Sequence, residues 1–133
     1  VTVLDTNALL WLTQDDPRLG KEAVRLADRA LAEDCLVVSA FTFWEVCTLS
    51  QRGRLDLIQP IEAWREGLLE LGLVEIPVTG EIAIEAGRFT DSLKDPADRI
   101  IVATALREGA LLLTGDEQIL EWKGMLRRQD ARL

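Results

Sequence analysis

Histidine is absent from this chain of 133 residues. That absence removes Ser-His-Asp and Cys-His catalysis, imidazole acid–base chemistry and every His-ligated metal site. An enzyme built from this chain must work with carboxylates, Lys/Arg, hydroxyls, thiols or a metal. Cysteine is nearly absent: Cys35 and Cys47 form no CxxC pair, and zinc wants clustered Cys or His ligands. Both are expected to be buried free thiols. No apolar run approaches the roughly 20 residues of a membrane span. The longest candidate, "IIVATAL", is far too short, and no basic segment leads into a signal-like apolar stretch. The expectation is a soluble, cytoplasmic protein with no membrane partner. Positive charge is scarce, with 15 Lys and Arg against 23 Asp and Glu and a net charge of −8. This argues against binding nucleic acid through a global basic surface. It leaves room for a nucleic-acid enzyme whose acids gather in a metal pocket. Linkers, repeats and low-complexity tracts are also missing, so residues 1–133 read as a single domain.

What is present is an alternation of short apolar runs and helical periods. "VTVLD" reads as a first strand and "ALLWLTQ" as a short helix stopped by "DDPRLG". In "GKEAVRLADRALAED" the apolar residues Ala23, Leu26, Ala27, Ala30 and Leu31 keep a helical spacing. "CLVVS" is a second strand, "FTFWEVCTLSQRG" a helix ending at Gly53, and "PIEAWREGLLELG" a helix between Pro60 and Gly72. "LVEIPV" is a third strand, "EIAIEAGRF" a helix, and "DPADRIIVATALREG" the best-marked helix of the chain. "ALLLTG" is a fourth strand, "DEQILEWKG" a short helix, and "MLRRQDARL" a possible last strand. Alternation of this kind predicts an α/β fold with a mostly parallel sheet of 4–5 strands and helices on both faces. The strands are apolar without clean alternation, as expected when both faces are covered.

Sites in open parallel sheets form at the carboxyl ends of strands. Asp5 directly follows the first strand and Asp116 follows "ALLLTG". Glu45 falls in the first turns of the helix after "CLVVS", and Asp98 opens the apolar helix "DRIIVATAL". Each acid also fits the start of a helix. "TFWE" has the form of a capping box with Thr42 as cap. "DPAD" offers Asp95 as N-cap, Pro96 at N1 and Asp98 at N3. Asp5 can cap "ALLWL", and Asp116 with Glu117 suits a helix dipole. Capping explains each acid singly; it does not explain four of them at one sheet edge. If the four converge within about 5 Å, each like-charge pair costs on the order of 3 kcal/mol at an effective dielectric near 20. Their pKa values then rise unless a cation intervenes. Mg²⁺ or Mn²⁺ takes oxygen ligands, lowers the pKa of a bound water and stabilises charge on a phosphoryl oxygen.

The chain resembles a PIN-domain ribonuclease and, within that family, a VapC-type toxin of a toxin–antitoxin pair. The resemblance spans essentially the whole chain, through "LDTNALLWL", "FWEVCTLSQRGRL", "IPVTGEIAIEAGRF", "DPADRIIVATAL" and "LLTGDEQIL" in the family's order. It implies a PIN-like three-layer sandwich with Asp5, Glu45, Asp98 and Asp116 as catalytic metal ligands. In "DPADR" it points to Asp98 as the site acid and leaves Asp95 as helix cap or supporting group. Thr6 and Thr114 match the small hydroxyls flanking the site acids, with helix capping as their other role. Where many relatives carry histidines, this chain has "SLK" before "DP" and Asn7 after "DT". The implied activity is Mg²⁺- or Mn²⁺-dependent endoribonuclease, with one or two ions. An activated water attacks the phosphodiester in line and leaves 5′-phosphate and 3′-hydroxyl ends. The implied partners are an RNA substrate, a second copy of the chain as homodimer, and a VapB-type antitoxin that occupies a groove beside the site. DNA is contacted only through that antitoxin.

Two divalent ions would not neutralise a charge of −8, so phosphate contacts must be local. Arg99, Lys94, Arg88, Arg52 and Arg54 are the candidates, each also readable as a solvated surface charge. A modest number of contacts gives a shallow salt dependence. Trp11, Trp44, Trp64 and Trp122 are core candidates by default. Trp11 and Trp64 have a second reading, Trp11 as lining for an antitoxin groove and Trp64 as a partner contact. Other α/β phosphate chemistry places an aspartate after the first strand. A haloacid-dehalogenase-type phosphatase wants a second acid where Asn7 stands. A receiver domain wants an acid pair that is missing here. A PIN-like binding module without catalysis is the alternative of a different class.

Overall fold

The structure is a computed structural model describing residues 1–89 and 93–133. Its five strands are β1 (Thr2–Leu4), β2 (Leu36–Ser39), β3 (Val74–Ile76), β4 (Leu111–Thr114) and β5 (Arg128–Asp130). All pair in parallel, in the order β3-β2-β1-β4-β5. The seven helices are α1 (Thr6–Thr13), α2 (Lys21–Ala32), α3 (Phe41–Gln51), α4 (Ile61–Glu70), α5 (Gly80–Gly87), α6 (Pro96–Glu108) and α7 (Glu117–Leu120). No helix among the described residues is long and apolar enough to cross a membrane.

Strand side chains alternate between two helical layers. Leu4, Leu36, Val38 and Leu113 pack into one core with Ala8 and Leu9 of α1, Ala23, Ala27 and Ala30 of α2, Val46 of α3 and Trp64 of α4. Val3, Val37 and Leu112 point the other way, against Ile101, Val102 and Ala105 of α6 and Ile119 of α7. This is the expected three-layer arrangement, with five strands and every pairing parallel. Helix α6 is buried on several sides, at Ala97 and from Ile101 through Ala105. It packs on α5, α3, β2 and β4. Its carboxyl end is closed by Gly109, whose φ of 60° is left-handed and suits glycine.

Several boundaries differ from the sequence expectation. Helix α1 begins at Thr6, two residues before "ALLWLTQ", with Asp5 as its cap as expected. The last helix is one turn, Glu117–Leu120: Trp122 leaves the helix and packs edge-on against Phe89 with centroids 5.2 Å apart. The expected last strand forms over Arg128–Asp130 alone, a half-buried edge. Cys35 and Cys47 are free as expected, but half-buried rather than buried.

Candidate functional site

Strand order locates the site. The chain moves from β1 to β2 to β3 in one direction, then returns to place β4 and β5 on the opposite side of β1. Between β1 and β4 the winding therefore reverses, and a crevice opens at their carboxyl ends. Asp5 and Asp116 stand there. A helix that follows a parallel strand, or runs back before the next one, starts at that same edge. This brings the starts of α3 and α6, with Glu45 and Asp98, to the crevice.

Asp5 is fixed by four hydrogen bonds, one of them from the Leu9 N–H to its carbonyl at 3.0 Å. Its backbone N–H donates to the Leu113 carbonyl at 3.1 Å. Its Oδ1 accepts from the Ala8 N–H at 2.8 Å, and its Oδ2 accepts from the Thr114 hydroxyl. The helix cap and the buried site acid are thus the same side chain. Thr114 Oγ1 also accepts from the Asp116 N–H at 3.0 Å, so one hydroxyl ties two of the acids together. Asp116 caps α7 by accepting from Gln118 N–H at 2.8 Å and Ile119 N–H at 3.3 Å. Thr6 donates to Glu45 Oε1, and its oxygen lies 3.3 Å from that of Thr42.

Two capping expectations separate here. Asp95 caps α6 through the Ala97 N–H at 2.9 Å, with Pro96 in the first turn. The capping box at "TFWE" does not form. Thr42 lies inside α3, fully buried, and Glu45 turns to Thr6 instead. The Phe41 N–H is satisfied by the Ser39 hydroxyl at 3.1 Å. Thr42 joins the Thr6 hydroxyl beside Glu45, and the sequence reading gave it no such role. Its signal was present as a hydroxyl one turn before Glu45.

The electrostatics show what the acids share. Burial pushes the Asp5 carboxyl up to about 6, although the Thr114 hydroxyl and Ala8 N–H oppose the rise; Asp116 and Glu45 add to it. Asp98 is pushed up to about 7, first by burial and then by the charges of Asp116, Asp95, Asp5 and Glu45. Glu45 is also raised, by burial and by Asp95, against the Thr6 hydrogen bond. No arginine or lysine acts on any of the three. Among the described residues, no group of three or more acid or thiol side chains is arranged to hold a metal ion. Each acid but Asp98 has an oxygen engaged by its own cap or hydroxyl. The donor set nevertheless fits one class of ligand. It is all oxygen, negatively charged and without a protein cation, which suits a hard divalent ion.

The basic candidates scatter. Arg52 is exposed and lines one cavity with Glu45 and Asp95. Arg99 is drawn to the Leu93 carbonyl, and Arg88 lies by Glu81 and Glu85 on α5. Lys94 and Arg54 are exposed. Ser92 of "SLK" lies outside the described residues. Of the two readings of Trp11, the structure takes the core. The ring is 9% exposed, lies against Gly115 and carries the Arg18 guanidinium 5.2 Å from its centroid. Trp64 is also buried, edge-on to Phe43 at 5.9 Å. An apolar groove of about 470 Å³ runs beside it, between Leu9 and Leu12 of α1, Leu31 of α2, Leu68 of α4 and Leu71 just past its end. It is separate from the acid crevice.

Residues 2–124 match the PIN domain family model. The chain is 30% identical over 118 residues to Ribonuclease VapC22 of Mycobacterium tuberculosis (strain ATCC 25618 / H37Rv), covering 88% of each. Among solved structures it is similar to VapBC2 from Rickettsia felis bound to a DNA fragment from their promoter, with a TM-score of 0.70 at 13% identity. That match covers 97% of this chain and 98% of the other. It is likewise similar to FitAcB from Neisseria gonorrhoeae, with a TM-score of 0.64 at 21% identity over 98% of both chains.

Proposed function

Because the chain belongs to the PIN-domain family, among VapC-type ribonucleases, we propose that it is a divalent-metal-dependent endoribonuclease toxin. The observation that carries this reading is the gathering of Asp5, Glu45, Asp98 and Asp116 at the β1–β4 switch point, with the Asp5, Glu45 and Asp98 carboxyls pushed up and no cation to offset them. These four would hold Mg²⁺ or Mn²⁺, as one ion or two. A bound ion there supplies an activated water and stabilises charge on the phosphoryl oxygen. The chain's own residues do the positioning. Thr114 orients Asp5 and the Asp116 backbone together, and Thr6 orients Glu45. Asp95 holds the first turn of α6 so that Asp98 faces the crevice.

The test is RNA cleavage by purified protein with Mg²⁺ or Mn²⁺, beside Asp5→Asn and Asp98→Asn. The expected result is cleavage abolished by EDTA and by either substitution. Activity surviving all three would sink the metal site. Wild-type protein that binds a partner and cuts no RNA would favour the non-catalytic binding module.

The partner side follows from the neighbours, which are complexes of toxins with antitoxins. We place the antitoxin contact on the apolar groove of α1, α2 and α4 rather than on Trp11. An amphipathic helix with apolar residues at i, i+3 and i+4 is the shape that such a groove takes. The expected assembly is a homodimer that reaches DNA only through the antitoxin.

A further inference from the structure

Trp44 is 60% exposed, although it neighbours Glu45. Its ring stacks on Phe41, with centroids 5.1 Å apart and 26° between the planes. The two occupy one face of α3 with Thr48 and Arg52. Together with Glu45, Asp95 and Pro96 that face lines a cavity of about 320 Å³. This volume is at the lower end of small-molecule sites, about 300–1,000 Å³. An exposed indole stacked on a half-buried phenyl ring, with its outer face open to water, marks a surface that receives something flat and apolar.

Charge decides between candidates. Glu45 and Asp95 face the cavity and repel an anion, so a phosphate is excluded from the space between them and the rings. Arg52 lies eight residues beyond Trp44, about 12 Å along the helix. It is exposed and makes no ion pair with the described residues, so it is free for a phosphate. A neutral π face with a phosphate on one side is a nucleotide within a strand. At a net charge of −8, general attraction to the backbone is weak, and stacking, which every base can supply, becomes the available source of affinity.

We propose that the Phe41–Trp44 stack is the platform for one unpaired nucleobase beside the scissile phosphate, with Arg52 on the flanking backbone. The proposal rests on the nuclease reading of the acid crevice. A base inside a duplex has both faces covered, so the platform selects single strands and loops.

The test uses a short single-stranded oligoribonucleotide and variants with one abasic residue walked across the cut. Cleavage with Mn²⁺ and binding by fluorescence anisotropy are both measured. Trp44→Ala is expected to weaken binding and raise KM about tenfold, while Trp44→Phe stays within about threefold of wild type. One abasic position next to the cut should cost wild type a similar factor and cost Trp44→Ala nothing further. Additive losses, or a Trp44→Ala protein that cleaves and binds as wild type, would overturn the platform and leave the nuclease reading standing. Trp44-dependent base binding without any cleavage by wild type would leave the platform and remove the nuclease. A Trp44→Ala protein that sediments as monomer where wild type is dimer, with no base-dependent change, would assign the rings to a second copy and overturn the proposal.

Discussion

At the residue scale, Asp5 carries opposing loads. Its carboxylate is 5% exposed, and burial pushes its pKa from 3.8 to about 6. Above that pH its ionised form costs the fold on the order of 3 kcal/mol, at about 1.4 kcal/mol per unit. Asp5→Asn keeps the acceptor for Ala8 and removes the charge. Part of the gain is offset by weaker hydrogen bonding, since charge-assisted bonds are the stronger ones. We expect Asp5→Asn without metal at pH 8 to be more stable by about 1–2 kcal/mol in urea denaturation, yet to cleave RNA at least about 100-fold more slowly. A variant less stable than wild type would show that the burial cost is already offset. Gly115 is a second case. A Cβ there would stand 2.7 Å from Trp11 Cη2, and Trp11 is itself enclosed by core. Gly115→Ala should cost about 1–3 kcal/mol by overpacking. Because Asp116 follows directly, cleavage should fall with it.

At the scale of elements, α6 divides a structural acid from a chemical one. Asp95 caps the helix, so Asp95→Ala should cost about 1 kcal/mol in thermal or urea unfolding. Cleavage should change only a fewfold. Asp98→Asn should do the reverse: no loss of stability, and loss of cleavage. Equal effects of the two on both readouts would mean that the helix start acts as one unit. Helix α6 was legible in the sequence because its signals agree: Asp-Pro at the start, an apolar body and Gly109 at the end. The start of α3 was not legible. Ser39 and Thr42 are both hydroxyls near the boundary, and pattern alone cannot say which takes the free N–H and which turns inward. The same limit applies to β5. Its residues Arg128–Asp130 are polar and half-buried at a sheet edge, so no hydrophobic period marks them. Just past α4, Leu71 is 72% exposed and lines the apolar groove. Leu71→Glu should weaken antitoxin binding at least about tenfold by calorimetry and leave RNA cleavage intact. Unchanged antitoxin affinity would move that contact elsewhere.

At the scale of the molecule, the sheet order gathers charge that nothing in the protein neutralises. The sequence placed the four acids at one edge. It did not show the reversal between β1 and β4, because strand order depends on packing across the whole chain. The consequence is a pH dependence of unusual sign. Asp5 and Asp98 titrate near 6 and 7 in the fold against about 3.8 when unfolded. Between about pH 4 and 7 the native state therefore binds more protons than the unfolded one, so metal-free stability falls as pH rises and levels off above 7. The exposed pairs act at a different end of the scale. Asp16, Glu22, Glu75 and Asp130 have depressed pKa values from their arginine partners, and their contribution is lost only as pH drops below about 4. A divalent ion needs the ionised carboxylates, so its stabilisation must grow across the same window. At 100-fold over its Kd an ion adds about 2.7 kcal/mol, or several degrees in Tm for a chain of this length. We expect Mg²⁺ to raise Tm clearly at pH 8 and scarcely at pH 5 in wild type, and at neither pH in Asp98→Asn. A Tm rise that is equal at both pH values, or that persists in Asp98→Asn, would place the ion away from the crevice.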